Sequence, residues 1–222
     1  MTITNAYALW VQAGASWLEG RTSINNDVVL PKTSGFGIRV DTAAPTFPWR
    51  DIEGDLVVRG TGAADPAFNV YRTNIRQYQF SVNDELWLVF HIPHDYVPGS
   101  EIFIHFHWSH ISATVTSGAA TWGADVSYAK GHNQGAFPAT ANVTVAQNAS
   151  TTQYQHMIAE VQLSASGQVN ATALEVDGLI LVRVYLSANT INGTPEPFLH
   201  KCDLHYQSTG IGTKQKAPAF YT

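Results

Sequence analysis

The sequence predicts an all-β protein: an antiparallel β-sandwich, in the jelly-roll arrangement, with an extended N-terminal arm. Three observations support this prediction. Apolar segments of strand length recur after residue 51, turn signals rich in Gly, Asn and Pro separate them, and no segment shows a 3.6-residue apolar period over the length of a helix. About eight or nine strands in roughly 170 residues, with loops of mixed length and no internal repeat, favour a jelly roll over a propeller or a β-helix.

Residues 1–50 differ in composition from the rest of the chain, and we expect them to form an arm rather than a domain. An Asn-Asn-Asp turn signal occupies residues 25–27, and Pro45 and Pro48 make the later stretch stiff and extended. Exposed Trp and Phe side chains in this region are costly unless a partner or the main domain buries them. The arm is therefore predicted to anchor the protein, while residues 51–222 form the sandwich domain. The alternative is that the N-terminal region adds a pair of strands to the main sheet.

Eight segments of the predicted domain have the patterns of β-strands. Residues 77–82 alternate polar and apolar side chains, whereas residues 86–92 are a nearly continuous apolar run of the kind found near a sandwich core. In residues 198–206, five alternate side chains, among them His200 and Cys202, are predicted to share one side. The predicted strands are residues 77–82, 86–92, 102–108, 123–129, 143–146, 153–163, 179–186 and 198–206. Turn dipeptides separate several of them, at Asn83-Asp84, Pro98-Gly99, Ser117-Gly118, Asp177-Gly178 and Asn192-Gly193.

The composition argues against several classes of protein. Charged residues make up 13% of the chain, about half the usual share, and the net charge is −5. Residues 131–182 contain no Lys or Arg, so a nucleic-acid partner is not expected. The single cysteine, Cys202, excludes an intrachain disulfide and a cysteine-based zinc cluster, and is predicted to be a small core residue. Neither a secretory signal nor an apolar run of about 20 residues is visible, so we expect a protein made in the cytoplasm with no membrane partner.

Among the nine histidines, the pair His105 and His107 is the strongest candidate for a site. Residues two apart in a strand point to the same face, so both imidazoles could reach one metal ion. Together with Gly99, the pair reproduces the first half of the pattern by which cupins, a jelly-roll class, bind a metal. That pattern also requires a Glu separated from the second His by three or four residues, where this chain has Ile111 and Ser112. We therefore predict histidines that pack against neighbouring strands, and we assign no metal ligand.

A second histidine pair, His91 and His94, is followed by Asp95, and a His beside an Asp is typical of acid–base catalysis. The sequence offers no Ser in a G-x-S-x-G elbow to act as the nucleophile. The nearby prolines indicate a loop in which Asp95 caps the turn through its own backbone. Residues 59–62 (Arg-Gly-Thr-Gly) lack the third Gly and the Lys of a phosphate-binding loop. No catalytic or cofactor-binding residue is assigned, no cofactor is expected, and the protein is predicted not to be an enzyme.

Six distinctive sequence motifs follow one another along the chain. They are His-Ile-Pro-His-Asp-Tyr-Val-Pro-Gly at 91–99, His-Phe-His-Trp-Ser-His at 105–110, Tyr-Ala-Lys-Gly-His-Asn-Gln at 128–134, Gln-Tyr-Gln-His-Met at 153–157, Asp-Leu-His-Tyr-Gln-Ser at 203–208 and Gly-Thr-Lys-Gln-Lys-Ala-Pro-Ala-Phe-Tyr at 212–221. In their order and amino-acid sequence they resemble a group of tailed-bacteriophage virion proteins, and the resemblance runs from about Gly37 to the C-terminus. It implies a non-enzymatic structural component of the virion, made in the host cytoplasm.

Within the particle, the resemblance implies a capsid decoration (cement) protein that binds the major capsid protein through residues 1–50. Neck or tail proteins of the same phage are the alternative partners. A homotrimer is the expected oligomer, because jelly-roll proteins of this kind commonly form closed rings. Two other functions stay open. Exposed Trp108 and Trp122 could stack on sugars in a receptor- or glycan-binding protein, and His105 with His107 could hold a metal in a cupin-like metalloprotein.

Overall fold

The structure is a computed structural model that describes residues 47–58, 64–163, 169, 173–193, 196–213 and 215–220. Most of the predicted arm, residues 1–46, lies outside the described residues, so the arm stays a prediction. Within the described part there are ten strands, and no helix there could span a membrane. The strands are β1 (Trp49–Gly54), β2 (Ala67–Arg72), β3 (Ile75–Gln79), β4 (Glu85–His91), β5 (Ile102–Ser109), β6 (Ala119–Ala129), β7 (Ala141–Asn148), β8 (Met157–Gln162), β9 (Leu179–Asn189) and β10 (Phe198–Gln207).

The strands form two antiparallel sheets that pack face to face. One sheet has the order β2-β3-β10-β5-β8, with β1 also paired to β10, and the other has the order β4-β9-β6-β7. From β3 onward the chain changes sheet at every step except between β6 and β7, which are neighbours in one sheet. This strand order, with the chain passing back and forth between the two sheets, is that of two Greek keys, the topology of a jelly roll. The predicted all-β sandwich is therefore confirmed.

The core lies between the two sheets and is built from the alternate positions of each strand. On β5, four residues from Ile102 to Trp108 point inward and are fully buried, while the residues between them face outward. The Trp122 side chain on β6 lies opposite, and its ring centroid is 6.1 Å from that of Trp108 and 5.3 Å from that of Phe80. These large rings tie the two sheets together, because aromatic side chains contribute the largest buried apolar areas.

Turn chemistry matches the sequence at all five predicted dipeptides. Each contains a residue with the left-handed backbone conformation that such turns require. These residues are Asn83 (φ 76°), Gly99 (φ 81°), Gly118 (φ 101°), Asp177 (φ 61°) and Gly193 (φ 62°). At Gly118 a side chain is also excluded by space, because a Cβ there would lie 2.3 Å from the carbonyl oxygen of Thr190.

Strand β10 is central to its sheet and has two different partners along one side. Phe198 and Leu199 pair with β3, the stretch from residue 202 to 207 pairs with β1, and β5 occupies the whole opposite side. A β-bulge between Leu199 and Lys201 separates the two stretches. Because the bulge adds a residue, Leu199 and Cys202 both face the core. His200 lies on the outer face, so the predicted regular alternation is wrong at this point.

Strand β1 begins at Trp49, one residue before the end of the predicted arm, and it links the two sheets. It pairs with β10 in one sheet. Just beyond it, Val57 exchanges two backbone hydrogen bonds of 3.1 and 3.2 Å with Trp87 of β4 in the other sheet. Phe47 is buried as well. Residues 47–50, which the sequence assigned to the arm, are therefore part of the sandwich.

Candidate functional site

Five of the nine histidines lie at the outer face of the six-stranded sheet, where they contact several carboxylates. Alternation on β5 places His105 and His107 on one face, as the sequence predicts, and the structure shows that this is the outer face, with Ile104 and Phe106 buried on the other. The other three histidines come from β10 and from the residue before β8. We call six residues of this region the outer-face cluster: His105, His107, His156, Glu160, Asp203 and His205.

Strand register determines which acids meet these histidines. His105 stands directly opposite Glu160 on β8 and directly opposite Asp203 on β10. Its Nε2 atom is 2.7 Å from Glu160 Oε2, and its Nδ1 atom is 3.2 Å from Asp203 Oδ1. His107 reaches diagonally to the same carboxylate, with Nε2 2.8 Å from Asp203 Oδ2. Asp203 is only 3% exposed, so its charge is removed from water and depends on these two imidazoles.

Stacked rings extend the cluster across the sheet. The Trp49 ring stacks on His205 at 4.7 Å between centroids, and His205 stacks on His105 at 4.8 Å. Further along, His107 stacks on His156 at 5.0 Å, with His107 Nδ1 2.9 Å from His156 Nε2. The outer face therefore carries a row of planar rings, and carboxylates of neighbouring strands contact several of the imidazoles in that row.

The cluster sets the protonation of its members in opposite directions. Burial alone raises the pKa of the Asp203 carboxyl, but the close contacts and charges of His105 and His107 outweigh it and hold that pKa far below its usual range. The contact with Asp203 raises the pKa of His105 against the effect of burial, and Glu160 adds to the rise. By contrast, burial lowers the pKa of His200 to about 4, with smaller contributions from His156 and His107.

A second group, the Asp177 cluster, consists of Asp177 and three histidines. His91 Nε2 and His94 Nε2 lie 3.2 and 2.9 Å from Asp177 Oδ1, and His132 Nε2 lies 2.9 Å from Asp177 Oδ2. The hydrogen bond with His132 is the main cause of a lowered pKa at Asp177, and the charges of His94 and His91 add to it. Phe220, near the C-terminus, packs its ring 5.7 Å from the rings of both His94 and His132.

Several residue-level expectations meet the structure here. Trp108 and Trp122 are fully buried, so the expectation that they are exposed sugar-stacking rings is wrong; both occupy core-facing strand positions. The Asp95 carboxylate, predicted to cap its own turn, accepts hydrogen bonds from the side chains of Arg50, Tyr206 and Ser208.

The cupin pattern places the acidic partner of His105 and His107 close by in the chain, at position 111 or 112, where this chain has no acid. The structure supplies acids from β8 and β10 instead, which a local pattern cannot reveal without the strand register. One signal was present in the sequence: Lys201, Asp203 and His205 occupy alternate positions of β10, on the side away from Cys202.

Comparisons with known proteins add little to this geometry. The chain matches no family model and no curated protein. A solved structure of the CBM22-1 and GH10 modules of xylanase 10B from Clostridium thermocellum, complexed with xylohexaose, has a TM-score of 0.34 and 11% identity, and the match covers 75% of this chain. The match spans 27% of that chain.

Proposed function

We propose that the protein is a non-enzymatic structural component of a tailed-bacteriophage virion, a capsid decoration (cement) protein that binds the major capsid lattice through its N-terminal residues. The domain described above would be the body of the decoration protein, displayed on the particle as a closed ring of identical subunits, a homotrimer. The N-terminal residues would bind neighbouring capsid subunits through aromatic side chains and main-chain hydrogen bonds.

One observation carries the proposal: all six segments that resemble virion proteins meet in space at the two histidine clusters. Segments 105–110, 153–157 and 203–208 supply the histidines and Asp203 of the outer-face cluster. Segments 91–99, 128–134 and 212–221 supply the histidines of the Asp177 cluster and the Phe220 ring beside them. The segments that carry the resemblance therefore lie at two clusters of hydrogen-bonded and ion-paired side chains, and such clusters fit a structural role.

The exposed ring of Trp49 also supports the proposal. Trp49, at the start of β1, is 44% exposed and stacks on His205 at the outer face of the sheet. Exposed aromatic rings of this size are favoured anchors in protein interfaces, so the outer face around Trp49 would contact the capsid.

The test is the copy number of the protein in purified virions, measured by quantitative mass spectrometry against the major capsid protein. A large fixed fraction of the capsid copy number is the expected result for a decoration protein. A few copies would indicate a neck or tail appendage instead. Absence from the particle would overturn the virion role. The glycan-binding alternative loses its two proposed contact residues, because Trp108 and Trp122 are in the core.

A further inference from the structure

We propose that His105, His107 and Asp203 form a binding site for a divalent transition-metal ion such as Zn²⁺, on the outer face of the six-stranded sheet. The site is independent of the place of the protein in a virion. Two imidazoles and one carboxylate are ligands that Zn²⁺ takes in proteins, and they leave a coordination position for water.

The ligand atoms already lie close enough for one ion. One ligand atom from each of the three residues can be chosen so that all lie within 4.8 Å of one another. The two closest approaches reach different oxygens of the carboxylate: His105 Nδ1 is 3.2 Å from Asp203 Oδ1, and His107 Nε2 is 2.8 Å from Asp203 Oδ2. Ligands of a tetrahedral zinc ion are about 3.3 Å apart, given bonds of about 2.0 Å, so the side chains would have to draw the more widely spaced atoms together around the ion.

A buried oxygen of Asp203 is aimed at the site and lacks a hydrogen bond. Asp203 Oδ1 is buried and has no hydrogen-bond partner among the described residues, because its contact with His105 Nδ1 is poorly aligned. An unsatisfied buried carboxylate oxygen is costly unless a cation compensates it. The nearest fixed cation, the Lys201 ammonium, is 2.7 Å from Glu53 and 3.9 Å from the other oxygen of Asp203, Oδ2.

The proton arrangement of His105 points in the same direction. Its Nε2 atom faces the Glu160 carboxylate and therefore carries a hydrogen, which leaves Nδ1 facing Asp203 Oδ1. Histidines that bind metals commonly donate their other N–H to a carboxylate, which is the relation between His105 and Glu160.

The charge of the surrounding face also favours a cation. Four carboxylates lie on this part of the sheet, those of Asp51, Glu53, Glu160 and Asp203, and the ammonium of Lys201 lies among them. While the histidines are neutral the face is strongly negative, and a divalent ion would reduce that charge where it is most deeply buried, at Asp203.

The test is titration of the full-length protein with Zn²⁺ by calorimetry at neutral pH, repeated with Co²⁺ to record the visible absorption of a tetrahedral site. We expect one ion per chain and micromolar or tighter affinity. Asp203→Asn and His107→Gln should each weaken binding by at least about 100-fold, and Glu160→Gln, which loses only the partner of His105, by about tenfold. Circular dichroism checks that each variant is folded, and His107, being less buried than Asp203, provides the less disruptive of the two ligand variants.

The matched control is His132→Gln, which removes one histidine from the Asp177 cluster and should leave Zn²⁺ binding unchanged. The proposal is overturned if the wild-type protein binds no Zn²⁺ in the micromolar range. It is equally overturned if binding survives in both His107→Gln and Asp203→Asn, or if it is lost in His132→Gln, since the ion would then occupy the other cluster.

Discussion

The Oδ2 atom of Asp203 lies 2.8 Å from Nε2 of His107, although 96 positions separate the two residues in the chain. Asp203 is directly opposite His105 in the β5–β10 ladder and reaches one step along it to His107. A single carboxylate therefore contacts both outward histidines of β5. Because Asp203 is buried, this arrangement ties the protonation of the histidines to the stability of the sheet.

Replacement of a core tryptophan should strongly destabilise the protein, because Trp108 and Trp122 are core residues and not exposed binding residues. Trp122→Ala removes a fully buried ring, and we expect a loss of about 3–5 kcal/mol in the free energy of unfolding, measured by urea denaturation. Trp49→Ala is the matched control, since Trp49 is 44% exposed and should cost about 1 kcal/mol or less. Equal losses in the two variants would contradict the burial described for β6.

Two histidines of the outer face should titrate far apart. Histidine in an unfolded chain has a pKa of 6.5, and burial lowers that of His200 to about 4. As pH falls from 6.5 to about 4, the unfolded chain binds a proton at His200 that the folded protein excludes, so His200 lowers stability in acid. The raised pKa of His105 acts in the opposite sense. Its stabilisation is complete below pH 6.5 and is lost as pH rises through the folded value.

NMR titration of the imidazole nitrogens checks this directly. His200 should stay neutral down to about pH 4. His105 should still carry its charge at pH 6.5 and should lose its proton only at a higher pH. A His200 that titrates at or above the unfolded value would show that its ring is solvated.

Asp177→Asn should destabilise the protein at neutral pH by about 1 kcal/mol, because a charged partner is lost for three histidines. The left-handed backbone at position 177 tolerates Asn, so the variant tests charge rather than turn geometry. The lowered pKa of Asp177 means that its stabilisation is present above pH 3.8 and disappears as pH falls through the folded value.

The unfolding free energies of wild type and Asp177→Asn should therefore converge in acid. Asp51→Asn, which removes the partner of one histidine, is the control and should cost less. A constant difference between the two proteins at every pH would mean that shape, and not charge, explains the loss.

The boundary of the folded domain should lie before Phe47. Deletion of residues 1–46 should leave a cooperatively unfolding β protein, because Phe47 and β1 are retained. Deletion of residues 1–54 removes β1, exposes the 202–207 side of β10 and should abolish cooperative unfolding or cause aggregation. Thermal denaturation followed by circular dichroism compares the two. Unfolding of the shorter deletion would show that the preceding residues belong to the core.

The thiol of Cys202 should be inert in the folded protein. It is fully buried, and burial raises its pKa well above the usual range, so it is neither accessible nor ionised at neutral pH. A thiol reagent should label it only after denaturation. Labelling at a rate above that of global unfolding would indicate local opening of the sheet around β10.

The sequence predicted the features that depend on neighbours in the chain. The dipeptide turns, the outward pair His105 and His107 and the buried Cys202 all follow from local periodicity and turn chemistry. It could not predict what depends on register between distant strands. The pairing of His105 with Asp203 is one example, and the other is the bulge after Leu199, which turns His200 outward. Strand β2 is not among the predicted strands, and its side chains are mostly exposed in the structure.

The place of β10 in the sheet has a consequence for how the protein is made. This strand, the last of the ten in chain order, hydrogen-bonds to β1, β3 and β5. The sheet therefore lacks its central strand until residues 198–207 have left the ribosome. Pairing of β1 with β10 spans about 150 residues, a contact of the kind that makes folding slow and late. An interrupted translation product therefore lacks the strand that joins the others, and only a chain synthesised through β10 can fold into this domain.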